Sequence, residues 1–135
     1  MVVSATVLRG GCHCRQVRYE ADGQPFYATV CHCTMCRGTS GAPMVAWFSV
    51  KADHFRFVQG EPRRYRSSPA AWRSFCGNCG TQLTFQTDGS EDIDITTASL
   101  DEAEAVPPAD QTFGRSRLRW VEDLDALPVH VTTRP

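Results

Sequence analysis

Cys31-His32-Cys33-Thr34-Met35-Cys36 places three thiols within six residues of a chain that has seven cysteines among its 135 residues. A free cysteine packs as one small apolar residue among many and is usually kept for its reactivity, so packing alone does not account for such density. The run reads as a metal site. The other four cysteines form two tight pairs, Cys12-His13-Cys14 and Cys76-Gly77-Asn78-Cys79. Four thiols from two pairs make a closed tetrahedral zinc site, whereas zinc held by three protein ligands keeps its fourth position for water or a substrate. Seven cysteines thus divide as four plus three. A second partition joins Cys33 and Cys36 to Cys76 and Cys79 and leaves Cys12, Cys14 and Cys31 as the open set. The 39 residues between Cys36 and Cys76 exceed the usual spacing of about fifteen to twenty, so spacing favours the first partition and leaves the second open.

The length fits one domain, residues 1-135, long enough to bury a core. Hydrophobic residues at 41% and charged residues at 21% are those of a globular protein, and a net charge of -1 supplies no general field for nucleic acid or a membrane. Met1 to Arg9 lacks the basic start and apolar core of a signal peptide, and no window approaches the roughly eighteen apolar residues that span a bilayer. The expected location is cytoplasmic, where thiols stay reduced and clustered cysteines bind metal or do chemistry. A disulfide framework is disfavoured on that ground and by the odd cysteine count.

Around the cysteines the chain alternates polar and apolar residues. Val2 to Arg9 reads as a strand entering a Gly10-Gly11 turn that bends around metal, and Val17 to Ala21 as the second arm of a hairpin. Phe26 to Val30 delivers Cys31. Arg37 to Pro43 is a loop, followed by strands at Met44 to Val50, His54 to Val58, Arg64 to Arg66, Trp72 to Phe75, Thr81 to Phe85 and Ile93 to Thr97. The only helix expected is a turn or so near Leu100 to Ala105. Phe113 to Trp120 alternates as a last strand, whose Arg115, Arg117 and Arg119 would form a basic row. The fold class is mainly β, with many short antiparallel strands and little helix. Cys12, Cys14, Cys76 and Cys79 would fasten two sheets together, and such a site contributes folding free energy directly. Trp47, Phe48, Trp72 and Trp120 read as core or pocket wall.

Zinc held by three thiolates lowers the pKa of water or a thiol in its fourth position. Because three thiolates weaken the ion as a Lewis acid, activating an incoming thiol is its natural task.

Gly11-Cys12-His13-Cys14, Cys31-His32-Cys33-Thr34-Met35-Cys36-Arg37 and Phe75-Cys76-Gly77-Asn78-Cys79-Gly80-Thr81 together resemble the glutathione-dependent formaldehyde-activating enzyme family, which includes centromere protein V. The resemblance runs from about Leu8 to the region of Trp120 and is to the shorter branch of the family. It implies a zinc-stapled, β-tent-like fold with two zinc ions: a structural one on Cys12, Cys14, Cys76 and Cys79, and a catalytic one on Cys31, Cys33 and Cys36. It also implies a carbon-sulfur lyase that condenses glutathione, or a similar small thiol, with formaldehyde. The partners expected are therefore a small thiol and a small aldehyde.

Two residues are candidates beside the metal. Because histidine is the side chain that commonly carries protons near neutral pH, His32 is a candidate catalytic base or proton shuttle, its alternative being an outward-facing side chain on a tight loop. Arg37 is a candidate for a substrate carboxylate, its alternative being an arginine that orders the loop through backbone carbonyls. Two other function classes stay open: a non-enzymatic zinc-binding adaptor, and a thiol redox protein in which Cys33 and Cys36 oxidise reversibly.

Overall fold

The computed structural model describes residues 6 to 134. Its strands are β1 (Leu8–Gly11), β2 (Arg18–Ala21), β3 (Phe26–Cys31), β4 (Val45–Lys51), β5 (Phe55–Gln59), β6 (Arg63–Ser68), β7 (Ala71–Phe75), β8 (Gln82–Thr87), β9 (Asp92–Thr96) and β10 (Asp110–Thr112). They form a three-stranded sheet ordered β1-β2-β5 and a seven-stranded sheet ordered β10-β3-β4-β9-β8-β7-β6. The pairings are antiparallel apart from β10, which runs parallel to β3. The mainly β class expected from the alternation is the class observed.

Period-two alternation decides what each face of the large sheet meets. Phe48 and Val50 of β4, with Ile93 and Ile95 of β9, turn to one side and join Tyr19 and Ala21 of β2 in the main core. Trp47, Ser49 and Asp94 turn to the other side, as do Thr29 and Cys31 of β3, which pair with Trp47 and Val45. Phe85 of β8 faces Asp94 and Arg73 across the strands and shares that second face. One face is thus the hydrophobic core, where each large side chain contributes about 1.5–3 kcal/mol. The other is the floor of a cavity.

Three expectations are corrected. The stretch after Cys33 is helical, α1 (Thr34–Ser40), where a loop was expected. The turn or so of helix expected near Leu100 to Ala105 is a single 3₁₀ turn, Ala103–Ala105, and a further 3₁₀ turn, Thr97–Ser99, precedes it. Gly10 and Gly11 lie inside β1 rather than in a turn, because a Cβ on Gly10 would sit 2.4 Å from the Tyr19 hydroxyl and one on Gly11 would sit 2.2 Å from the Val17 carbonyl. They give room for neighbours, not curvature around a metal. Finally, Phe113 to Trp120 is no strand: 3₁₀ turns at Gly114–Ser116 and Arg119–Ala126 break it. The basic row is therefore not assembled, Arg117 pairing instead with Glu122 at 2.7 Å, and Trp120 is exposed. The expected start of the first strand, Val2 to Ala5, lies outside the described residues. Among those residues no helix is long and apolar enough to cross a membrane.

Candidate metal centres and the cavity between the strands

The fold gathers the seven thiols into two groups, Cys12, Cys14, Cys76 and Cys79 in one and Cys31, Cys33 and Cys36 in the other, with the sulfurs of each group within 4.8 Å of one another. The alternative partition, Cys33 and Cys36 with Cys76 and Cys79, is not the one assembled. In the four-thiol group Cys12 follows β1 of the small sheet and Cys76 follows β7 of the large one. The Sγ atoms of Cys12 and Cys14 are 3.6 Å apart, and those of Cys14 and Cys76 3.7 Å. A tetrahedron of sulfurs about 2.3 Å from zinc has edges of about 3.8 Å, so these thiols already hold the spacing the ion needs. Backbone N–H groups of Val17, at 3.2 Å from Cys12 Sγ, and of Asn78, at 3.4 Å from Cys76 Sγ, donate to the sulfurs. Hydrogen bonds from Thr81, side chain first and then backbone, draw the Cys79 thiol down to about 5. Burial, by contrast, pushes Cys12 up.

The three-thiol group is arranged by α1. Cys33 caps that helix, its sulfur accepting the Cys36 N–H at 3.2 Å, and Gly41 closes it in the left-handed conformation with its N–H on the Arg37 carbonyl. Cys31 comes from the end of β3 and Cys36 from the buried side of the helix. Burial is the largest influence on both helix thiols and opposes ionisation. In Cys36 it wins, raising the thiol to about 12. In Cys33 the summed hydrogen bonds from Cys36, Cys31 and Met35 win and lower it. Three clustered sulfurs, one capping a helix and one beside a guanidinium, suit a divalent soft cation with one position to spare.

The three sulfurs line a cavity of about 340 Å³ floored by Cys31, Cys33, Cys36, Trp47, Ser49, Phe85 and Asp94, within the range of small-ligand sites. At its mouth stand Tyr27 and Phe113, exposed aromatic residues held at φ 50° and 53°. Asp94 accepts a 2.6 Å hydrogen bond from Ser49, and burial raises its carboxyl above the ordinary range.

His32 and Arg37 are not on this cavity. His32 is fully buried, its Nε2 2.7 Å from Gln111 Oε1 on β10 and its Nδ1 without a partner among the described residues, so it neither lines the cavity nor faces outward from the loop. Arg37 donates to the Ser116 carbonyl at 3.0 Å, the loop-ordering role. The arginine that does reach the thiols is Arg73, with Nη2 3.6 Å from Cys36 Sγ. Sequence reading missed Arg73, Asp94 and Ser49. Their only signal is period-two position on strands whose register is invisible without the sheet.

A family model for glutathione-dependent formaldehyde-activating enzymes matches residues 7–116. An uncharacterized lyase of Schizosaccharomyces pombe is 34% identical over 76 residues, 56% of this chain and 55% of that protein, so the match spans little more than half of the relative's length. A crystal structure of a Rhodobacter sphaeroides protein superposes with a TM-score of 0.62 at 25% identity, covering 77% of this chain and 99% of that one. With the motifs, the sheets and the two thiol groups in agreement with a match over most of its length, the chain belongs to the glutathione-dependent formaldehyde-activating enzyme family.

Proposed function

We propose that residues 1–135 act as one zinc-binding domain of the carbon-sulfur lyase type, adding a small thiol such as glutathione to a small aldehyde such as formaldehyde and giving an S-hydroxymethyl adduct. The observation that carries this reading is the open three-thiol group on the floor of an aromatic-walled cavity, beside a separate closed four-thiol group. Zinc held by Cys31, Cys33 and Cys36 would supply a Lewis-acidic position for the sulfur of the incoming thiol. Cys12, Cys14, Cys76 and Cys79 would hold the structural ion.

The reaction forms one S–C bond, and the proton lost by the thiol ends on the former carbonyl oxygen. The chain must therefore bring two small molecules together, keep water out and pass on a proton. Trp47 and Phe85, with rings 6.3 Å apart edge to face, wall off solvent and strengthen every charge between them. Asp94, steadied by Ser49, is the cavity's carboxyl and exchanges the proton. Neither His32 nor Arg37 has a role in this scheme; they brace β10 and the following turn against the cysteine segment.

The test is zinc content and turnover of anaerobically purified wild type and Cys33→Ser. The reading expects two zinc ions in the wild type, one in the variant with circular dichroism unchanged, and no adduct formation by the variant. Full activity after loss of the second zinc would sink it. One zinc in the wild type, with a reversible Cys33–Cys36 disulfide, would mark a thiol redox protein instead.

A further inference from the structure

Arg73 is only 3% exposed, yet no carboxylate pairs with it among the described residues. Its Nη1 is 3.4 Å from Gln82 Oε1, its Nη2 3.6 Å from Cys36 Sγ, and its Nε has no partner among the described residues. The guanidinium carbon lies 5.0 Å from the Phe85 ring centroid and 5.8 Å from that of Trp47. The acid on the same cavity, Asp94, is bonded to Ser49 instead. A guanidinium does not shed its proton in a protein, and a buried charge left unpaired costs several kcal/mol. The compensating anion must come from the thiols or from what binds beside them.

We propose that Arg73 is a specificity-determining residue of the three-thiol centre: it supplies the counter-charge that makes an anionic thiolate, rather than a neutral molecule, the preferred fourth ligand. This rests on the reading above that a divalent metal binds there. Three thiolates around a divalent ion carry a charge of -1, which Arg73 brings to zero; Asp94 lines the same cavity and adds its own charge equally with and without Arg73. A thiol that binds as its thiolate then takes the ion, its ligands and Arg73 together to -1. Without Arg73 the same ligand would build -2 behind aromatic walls, where repulsion is screened far less than in water. A neutral ligand adds no charge and does not feel the difference.

Cobalt(II) reports its ligands through visible absorption and can replace zinc in both centres. Wild type, Arg73→Gln, Arg73→Lys and Arg73→Met, each loaded with cobalt, are titrated with 2-mercaptoethanol and separately with imidazole, folding being checked by circular dichroism. Arg73→Gln should weaken the thiol by about ten- to a hundredfold and leave imidazole within about twofold. Arg73→Lys should keep most of the thiol affinity. If Arg73→Gln does not fold, Arg73→Met, which preserves the apolar stem, takes its place with the same expectation. An unchanged thiol-to-imidazole ratio in a variant that binds two cobalt ions overturns the role of Arg73 alone. A wild type that binds one cobalt overturns both this inference and the metal reading beneath it.

Discussion

At the scale of single residues, Asp94 shows why a buried acid in a cavity differs from one on a surface. Burial raises its carboxyl, and the Ser49 hydrogen bond offsets only part of that. To accept a proton it must be ionised, so activity should fall as pH drops through a value above the ordinary carboxylate range. Asp94→Asn should cost about a hundredfold in kcat and remove that acidic limb of the pH profile, with zinc content intact. An unchanged profile would assign the proton elsewhere. Asp94 and Arg73 were hidden in the sequence for one reason. Each reads as a polar residue on a half-buried strand, and only cross-strand register brings Ser49 opposite Asp94 and Phe85 opposite Arg73. The cysteines, by contrast, were legible because a metal site announces itself by residue type and spacing.

Elements show the same divide. β3, β4 and β7 to β9 fall close to where alternation placed them, since period two survives in segments of five to seven residues. Helix α1 was not legible. Its seven residues are too few to display a 3.6-residue period, and its cap is Cys33, read as a ligand, rather than serine, threonine or aspartate. Gly41, at φ 69°, closes the helix with nothing within 4 Å of the position a Cβ would take. Substitution there acts through backbone conformation alone. Gly41→Ala should lower stability by about 1 kcal/mol, and Gly41→Asn by less, because asparagine tolerates the left-handed region. Equal losses in denaturant midpoint would contradict this. The 3₁₀ turns after Phe113 were misread as a strand because their residues also alternate in size, and alternation over so few residues fits either form.

For the whole molecule, the two thiol groups are unequal in consequence. The four-thiol group joins the end of β1 in one sheet to the end of β7 in the other, bridging 62 positions of sequence. A structural zinc is worth about 10–16 kcal/mol, as much as the whole net stability of a typical domain, about 5–15 kcal/mol. Cys12→Ser should therefore abolish cooperative unfolding and the native circular dichroism spectrum, whereas Cys33→Ser keeps both, its thiol group being confined to one end of β3 and one short helix. A Cys12→Ser protein that melts cooperatively like the wild type would remove the staple from the account.

That bridge also imposes a timetable on synthesis. Cys31, Cys33 and Cys36 are all present once residue 36 has been made, but the four-thiol group is incomplete until Cys79, 43 residues later. At about 5–20 residues per second, the growing chain spends several seconds with five and then six thiols and with its four-thiol group incomplete. Through that interval Cys12 and Cys14 remain thiols only as far as the surrounding redox buffer keeps them reduced.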